Sequence, residues 1–352
     1  MRDLDARTDV LGLDREELER LALECGEPRY RGRQLFRGLY ARREQAFELF
    51  SDLPSDFRIR LASHCHIRYP VIREKHASRD GAVRYLLGLE DGRAAECVYM
   101  PEKDRATLCL SSQVGCAVDC RFCFTGLMGL LRNLSAGEIV GQALAIACDQ
   151  DFSSRLRLNI VFMGMGEPLL NFGPVMKAVR IMSEPDGMAI PLRRITISTS
   201  GIIPGIRDLA RQPARPKLAV SLNASTNEQR AAIMPVSRKY SLDDLIEACQ
   251  AYPLRPREKL TFEYVLLDGV NDSSDDARRV AGLVRGLRAK VNLIPYNSGS
   301  ELAYRAPPFD RVLAFREALR ERRVDAFIRI SRGQDVRAAC GQLMLEESRL
   351  LR

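Results

Sequence analysis

Three cysteines lie close together in the segment Ser112-Gln-Val-Gly-Cys116-Ala-Val-Asp-Cys120-Arg-Phe-Cys123-Phe-Thr-Gly126. Their C-x3-C-x2-C spacing, in a short loop bounded by two glycines, lets three thiolates converge on one metal centre. A structural zinc ion prefers four ligands, and the only histidines, at positions 64, 66 and 76, lie far upstream. A [4Fe–4S] cluster held by three cysteines leaves one iron open to another ligand. The spacing therefore predicts such a cluster, with zinc as the alternative.

Strand-like and helix-like segments alternate around this loop from Ala106 onward. The six predicted strands lie at 106–111, 158–163, 194–198, 217–222, 260–267 and 291–296. This alternation predicts right-handed βαβ units and a parallel sheet. Six units are too few for a closed eight-stranded barrel, which takes about 250 residues, so we predict an α/β fold with a partial, open parallel β/α barrel.

The first 95 residues or so lack this alternation. They contain two short amphipathic helical segments and then a plausible β-hairpin, 82–89 with 94–100, turning at Glu90-Asp-Gly92. We therefore predict four parts of the chain. They are a small N-terminal helical accessory domain at 1–80, a hairpin or linker into the barrel at 81–105, the barrel at 106–330 and a C-terminal segment at 331–352.

Arginine dominates the positive charge. Only seven of the 54 basic residues are lysine, and with 46 acidic residues the formal net charge is +8. Guanidinium groups suit phosphate contacts and base stacking, so this balance favours a polyanionic partner, with codon bias as the alternative. Four arginines of one predicted helix could form a phosphate-facing stripe, although a solvated helix face is the simpler interpretation. These four are Arg29, Arg31, Arg33 and Arg37.

The remaining composition indicates a cytoplasmic protein. No run of about 18 apolar residues is present, and residues 1–14 lack the apolar core of a signal peptide. We predict a soluble monomer without a membrane partner, whose ten cysteines are metal ligands, catalysts or buried thiols rather than structural disulfides. Isolated cysteines of this kind are expected to be buried. They are Cys25, Cys65, Cys97, Cys148 and Cys249.

Several polar motifs follow predicted strands and are expected to meet in one pocket at the carboxyl ends of the sheet. The segment Gly164-Met-Gly-Glu-Pro168 follows the second strand and is either a tight turn or a ligand-binding loop. Short hydrogen-bonding side chains follow later strands; each taken singly is typical of a cap or turn. Near the carboxyl terminus, Cys340 lies between small residues, and the residues alone do not distinguish a buried thiol from a nucleophile.

These motifs together resemble the RlmN/Cfr family of radical S-adenosylmethionine adenosine methyltransferases, over nearly the whole chain. The cysteine spacing, with Phe122 beside the last thiol, is the signature of radical S-adenosylmethionine enzymes. The further segments that carry the resemblance are Leu108-Cys-Leu-Ser-Ser-Gln-Val-Gly-Cys116, Phe162-Met-Gly-Met-Gly-Glu-Pro-Leu-Leu-Asn171, Ser198-Thr-Ser-Gly-Ile202, Asn292-Leu-Ile-Pro-Tyr-Asn297 and Cys340-Gly-Gln-Leu343.

The resemblance implies a reaction with two molecules of S-adenosylmethionine. The first methylates Cys340, and the second, bound at the cluster, yields a 5′-deoxyadenosyl radical that removes a hydrogen atom from this methyl group. The resulting carbon radical adds to an adenine ring and leaves a covalent protein–RNA adduct. Cys109 matches the thiol that resolves the adduct by forming a disulfide with Cys340, and Glu96 matches the proton acceptor.

The resemblance also assigns binding residues. Cys116, Cys120 and Cys123 match the ligands of the [4Fe–4S] cluster. The positions that match contacts to S-adenosylmethionine are Gly166, Glu167, Ser198, Ser221, Asn223 and Asn297. Two positions depart from the family pattern: Asn223 stands where histidine is usual, and Phe124 is bulkier than the usual residue. Neither departure removes a catalytic group.

The expected function is methylation of C2 of adenosine in 23S rRNA near the peptidyl transferase centre, together with the tRNA adenosine 3′ of the anticodon. Pro168 and Asn171 resemble the RlmN branch, whereas the Cfr branch, which methylates C8, usually carries alanine at the first of these positions. The resemblance also implies an electron donor such as flavodoxin. A non-catalytic, zinc-binding or thiol-sensing RNA-binding protein is the alternative from another class.

Overall fold

The structure is a computed structural model that describes residues 7–152, 156–297 and 302–343. The strands are β1 (Thr8–Asp9), β2 (Cys65–His66), β3 (Val71–Ala77), β4 (Val83–Gly88), β5 (Ala94–Glu102), β6 (Arg105–Cys109), β7 (Gln113–Gly115), β8 (Leu130–Asn133), β9 (Arg157–Phe162), β10 (Ile195–Thr199), β11 (Lys217–Ser221), β12 (Leu260–Leu266), β13 (Ala289–Pro295) and β14 (Asp325–Ile328). The helices are α1 (Arg15–Glu24), α2 (Tyr30–Arg37), α3 (Ser55–His64), α4 (Phe124–Leu127), α5 (Ala136–Asp149), α6 (Phe172–Ser183), α7 (Ile203–Ala210), α8 (Asn227–Ile233), α9 (Leu242–Gln250), α10 (Ser274–Leu283) and α11 (Phe309–Arg320). Within these described ranges no helix has the length and apolar character needed to cross a membrane.

One ten-stranded sheet organises the molecule, in the order β14-β13-β12-β11-β10-β9-β6-β5-β4-β3. Within this sheet, successive strands from β14 through β9 to β6 pair parallel, and successive strands from β6 to β3 pair antiparallel. The sheet ends in two separate edges, β14 and β3, so it does not close. The predicted α/β fold with an open, mostly parallel sheet is therefore confirmed.

Two strands of this sheet lie outside the predicted set. The seventh parallel strand, β14, is only four residues long and pairs with β13 alone, so its sequence carries a weak signal. The strand β3 falls inside the region 1–80 that was expected to be helical, as do the short paired strands β1 and β2, so that expectation is wrong at these positions. Three of its seven residues are charged and most of its side chains are exposed, as suits an edge strand, and such strands lack the usual apolar alternation.

The four arginines of the predicted N-terminal stripe make contacts within the chain. Arg29 and Arg33 both pair with the buried carboxylate of Glu19, and Arg37 pairs with Asp186 at 2.6 Å. Arg31 donates to the side chain of Gln34 at 2.8 Å and to the carbonyl of Asp52 at 3.0 Å. This arrangement agrees with a helix face whose charges are satisfied by the fold rather than with a free row of phosphate contacts.

One of the isolated cysteines differs from expectation. Cys148 is exposed, because the last turn of α5 leaves the core at this residue, and its sulfur accepts a hydrogen bond from the side-chain amide of Gln45 at 3.5 Å. Cys65, Cys97 and Cys249 are buried as predicted, and Cys25 is half-buried.

The N-terminal helices are anchored to the barrel through a close backbone approach. Gly12 has a φ of 97°, and a Cβ atom at this position would overlap the backbone of Gly137 at the start of α5. The hydroxyl of Tyr40 accepts from the amide of Gly12 at 2.9 Å and donates to the carbonyl of Leu13 at 2.8 Å. The N-terminal segment can therefore pack this closely on α5 only because both residues at the contact, Gly12 and Gly137, are glycines without a Cβ atom.

We expect Gly12→Ala to lower the free energy of unfolding by about 3 kcal/mol, because it adds left-handed backbone strain to overpacking against α5. Gly92→Ala is the matched control: Gly92 also has a positive φ, of 82°, but a Cβ there meets no atom within 4 Å. The control should lose only about 1 kcal/mol. Urea titration of the three proteins measures the difference, and equal losses would contradict a role for the close approach.

Candidate active site

A single pocket opens at the carboxyl ends of β9 to β13. It collects residues that are far apart in the sequence, and ten of the twelve predicted site residues line it: Cys116, Cys120, Cys123, Gly166, Glu167, Ser198, Ser221, Asn223, Asn297 and Cys340. The other two, Cys109 and Glu96, lie beside the pocket on the neighbouring strands β6 and β5. The parallel strands therefore bring these motifs together at one edge of the sheet, as expected.

The cysteine loop is held by backbone hydrogen bonds from three directions. Inside the loop, the amide of Cys123 donates to the carbonyl of Cys120 at 3.0 Å. The amide of Arg121 donates to Ile233 at the end of α8 at 3.0 Å, and the amide of Phe124 donates to Gly341 of the C-terminal segment at 2.9 Å. The positions of the thiols are thus determined by contacts with two distant parts of the chain.

The donor set of this loop fits a cluster better than a single ion. Among the described residues, no three His, Cys, Asp or Glu side chains lie close enough together to hold one metal ion. Thiolates that bind three different irons of one cube lie further apart than thiolates around one zinc ion. Burial raises the pKa of the thiols of Cys116, Cys120 and Cys123, and binding of a metal centre would favour their thiolate forms.

The glycine-rich loop after β9 presents a buried carboxylate. Gly166 has a φ of 96° and lies directly against the side chain of Gln113, which leaves no room for a Cβ atom. Glu167 is 3% exposed and accepts from the amides of Ser200 at 2.7 Å and Leu169 at 3.1 Å. Burial raises the pKa of Glu167, and no cationic side chain of the described chain pairs with it. This carboxylate is therefore suited to receive an amino group from a ligand.

Asn223, at the family position where histidine is usual, has the left-handed φ of 55°. Asparagine and histidine both tolerate this conformation better than most residues. The side-chain oxygen of Asn223 accepts from the amide of Val265 at 2.9 Å, and its amide nitrogen contacts the sulfur of Met234 at 3.4 Å. Asn223 can thus adopt the backbone turn at the end of β11, and its side chain links this turn to β12.

The C-terminal segment lies over the pocket, and hydrogen bonds hold it at Ser331, Cys340 and Leu343. Asn297 donates to the hydroxyl of Ser331 at 2.9 Å and to the carbonyl of Cys340 at 3.3 Å. Thr125, in the helix after the cysteine loop, donates to the carbonyl of Leu343 at 2.7 Å. Asn297 therefore positions Cys340 in addition to lining the pocket.

Two thiols from opposite halves of the chain meet at the edge of this pocket. Cys340 lines the pocket and its side chain is exposed at the mouth of the pocket. Cys109 ends β6, is 7% exposed, and has a thiol pKa that burial and then nearby Cys340 raise. The two sulfurs are close enough for their charges to interact.

Glu96 belongs to a buried network beside these thiols. Its carboxylate forms an ion pair with Arg84 at 2.9 Å, in which both side chains are nearly inaccessible to water. Its carbonyl accepts from the hydroxyl of Ser111, which in turn accepts from the amide of Met165 in the glycine-rich loop at 2.8 Å. The ion pair with Arg84 fixes the position of this carboxylate.

The sequence interpretation missed three charged residues of this region. Glu263 lines the pocket and accepts from the side-chain amide of Asn292 at 2.9 Å, and Arg230 is completely buried behind the cysteine loop. Arg84, the partner of Glu96, is the third. Glu263 could have been noticed as a charged residue inside an otherwise apolar strand. Arg230 is an isolated arginine in a short helix, and nothing in the sequence around it indicates a role.

Comparison with known proteins places both parts of the chain in described families. Residues 110–281 match the profile of the radical SAM superfamily. Residues 8–67 match the profile of the ribosomal RNA large subunit methyltransferase N-terminal domain. The second match covers the helices that precede the large sheet.

Similar proteins extend over almost the full chain. A Koribacter versatilis protein named probable dual-specificity RNA methyltransferase RlmN is 50% identical over 339 residues, which cover 92% of this chain and 97% of that protein. A Syntrophobacter fumaroxidans protein, named dual-specificity RNA methyltransferase RlmN, is 48% identical over 94% of this chain and 96% of its own length. The crystal structure of a radical SAM methyltransferase from Sphaerobacter thermophilus matches with a TM-score of 0.90 and 43% identity, over 95% of this chain and 98% of that one.

Proposed function

The chain belongs to the RlmN family of radical S-adenosylmethionine RNA methyltransferases, and on that basis we propose that it methylates C2 of adenosine. It is an S-adenosylmethionine-dependent enzyme with a [4Fe–4S] cluster. The proposed substrates are 23S rRNA and the tRNA adenosine 3′ of the anticodon, which are cytoplasmic RNAs. The observation that carries the proposal is a pocket that Cys340 lines together with three further thiols, with Cys109 near enough for the charge of Cys340 to act on it.

The binding residues are assigned from this pocket. Cys116, Cys120 and Cys123 would hold the cluster, and the carboxylate of Glu167 would receive the amino group of S-adenosylmethionine. When bound, the cluster and this cofactor supply one-electron chemistry that can remove a hydrogen atom from an unactivated methyl group. The polar side chains at the ends of β10, β11 and β13 would hold the rest of the cofactor: Ser198, Ser221, Asn223 and Asn297.

The reaction needs a carbon radical because C2 of adenine is electron-poor and carries no acidic proton. We propose that Cys340 carries a methyl group on its sulfur and presents its carbon to the base. Once this methyl group has lost one hydrogen atom, its carbon would bond to C2; one electron would then return to the cluster, and the RNA would be attached to Cys340. The base must be extruded from its helix to reach the pocket, and arginines would hold the RNA backbone.

Release of the product falls to two residues beside the pocket. The thiolate of Cys109 would attack the sulfur of Cys340, which breaks the bond between that sulfur and the transferred carbon and forms a disulfide. The released carbon would take up a proton, which completes the methyl group on C2. Glu96 accepts the proton that leaves C2. The disulfide must then be reduced before another cycle, and a donor such as flavodoxin would supply electrons to the cluster.

The site of methylation can be tested in cells. We expect 23S rRNA and tRNA from a deletion strain to lack 2-methyladenosine, and the gene to restore it. Cys340→Ala is the matched control and should restore none, because the methyl carrier is absent. Mass spectrometry of digested RNA gives the answer. Appearance of 8-methyladenosine instead would indicate the C8 reaction, and undiminished 2-methyladenosine in the deletion strain would contradict the proposal unless a paralogue compensates.

A further inference from the structure

We propose that Arg230 is the counter-cation of the iron–sulfur cluster and thereby raises the reduction potential of that cluster. The inference rests on the proposed assignment of the cluster to Cys116, Cys120 and Cys123. It adds a positioning residue to the site, one that acts through the cluster rather than on the substrate.

Arg230 is the largest fully buried side chain in the described structure, with 0% exposure. Its hydrogen bonds all go to backbone carbonyls: Nε to Leu222 at 3.1 Å, and Nη2 to Ser200 at 2.5 Å and Ser221 at 3.1 Å. Its Nη1 has no hydrogen-bond partner within the part of the chain that the structure describes. No carboxylate of these residues pairs with the guanidinium, so a buried positive charge lacks its expected partner.

The position of this charge is directly behind the cysteine loop. Arg230 lies on α8, whose last residue, Ile233, accepts the backbone hydrogen bond from Arg121 inside the loop at 3.0 Å. The thiols whose charges interact with the guanidinium are those of Cys120 and Cys249. Burial raises the pKa of Cys249 to about 12, so this thiol stays neutral and cannot balance the arginine.

The guanidinium stays charged despite its burial. Desolvation lowers the pKa of Arg230 to about 10, which still leaves it a cation at neutral pH. Space for it is provided by Gly201, whose φ is 105° and whose Cβ, if present, would approach Nη2 to 3.0 Å. The fold therefore places a buried cation, which has no carboxylate partner among the described residues, near Cys120. Cys120 would become part of an anionic group when the cluster binds.

A cluster held by three thiolates carries a net negative charge, and one-electron reduction makes it more negative. A fixed cation in a low-dielectric surrounding stabilises the reduced form more than the oxidised form. Arg230 should therefore favour electron uptake. By its bonds to Ser200, Ser221 and Leu222, it also holds the ends of β10 and β11, where the proposed cofactor contacts Ser198 and Ser221 lie.

The test compares Arg230→Gln with Arg230→Lys in anaerobically reconstituted protein whose iron content is measured. At a fixed potential, Arg230→Gln should lower the ratio of reduced to oxidised cluster at least tenfold, a shift of about 59 mV for one electron, as followed by electron paramagnetic resonance. Arg230→Lys keeps the charge and should leave the ratio within about threefold. Arg132→Gln, which removes a surface cation paired with Glu138 and Asp91, is the control and should change nothing.

A second measurement does not depend on reduction of the cluster. Loading the cluster should raise the melting temperature of the wild-type protein by more than it raises that of Arg230→Gln, because only the wild type gains an ion pair. A fully loaded Arg230→Gln with an unchanged ratio would overturn the proposal. If Arg230→Gln does not fold, a tenfold fall in Arg230→Lys would overturn it, because that would indicate lost hydrogen bonds rather than lost charge. Failure of the proposed function is distinct: the wild type itself would then hold no cluster or make no 2-methyladenosine.

Discussion

Cys109→Ala is expected to stop the reaction with RNA covalently attached to Cys340. Cys109 ends β6 beside Cys340, and no other cysteine of the described chain both lies next to Cys340 and stays outside the proposed cluster. Without this thiolate, nothing breaks the bond between the transferred carbon and the sulfur of Cys340. Multiple turnover should fall roughly ten-thousandfold or more, the scale seen when one member of a cooperating catalytic set is removed.

The adduct should be visible as a slowly migrating band on a denaturing gel, and nuclease digestion should leave one nucleotide on the peptide that contains Cys340. Cys97→Ala is the matched control. Cys97 is also buried and lies on β5, next to β6, but it faces the opposite side of the sheet from Glu96, since neighbouring residues of a strand alternate. It should turn over within about twofold of the wild type. Free protein and normal product from Cys109→Ala would refute the resolving role.

Glu96→Gln is expected to lower product formation by roughly a hundredfold to ten-thousandfold, the usual contribution of a general base. Glutamine has nearly the same shape but cannot accept the proton from C2. The ion pair with Arg84, 2.9 Å long and buried, is lost as well. The reaction should therefore stop before C2 loses its hydrogen.

This step can be separated from the action of Cys109 with RNA deuterated at C2. Any adduct trapped in Glu96→Gln should retain the deuterium, as read by mass spectrometry of the digested adduct. Glu102→Gln is the control: Glu102 lies at the other end of β5 and pairs with Arg105 on the surface, where such pairs contribute little. Loss of deuterium at the normal rate in Glu96→Gln would assign the proton to another group.

The local parts of the site could be predicted from the sequence because their chemistry depends on short spacings. The spacing of Cys116, Cys120 and Cys123 depends on one loop, and the glycine-rich loop of Gly166 and Glu167 depends on one turn. Alternating periodicity placed such motifs after strands, and parallel strands end at one edge of a sheet. The open sheet followed from counting these units.

Other features depend on contacts between distant segments, which periodicity does not encode. The edge strands β3 and β14 have few neighbours and therefore little apolar pattern. The exposure of Cys148 depends on where α5 leaves the core, which a helical pattern does not specify.

The sequence by itself determined the class of chemistry: three thiols in one loop, a parallel α/β scaffold, and motifs that resemble one family throughout. Only the tertiary structure decided which charges serve the site. It brought Cys109 near Cys340 and gave Glu96 its partner Arg84. It also buried Arg230 behind Cys120, where its hydrogen bonds go to backbone carbonyls. The physical reason is that the energy of a buried charge depends on everything that surrounds it in space, and those neighbours come from parts of the chain that no local pattern connects.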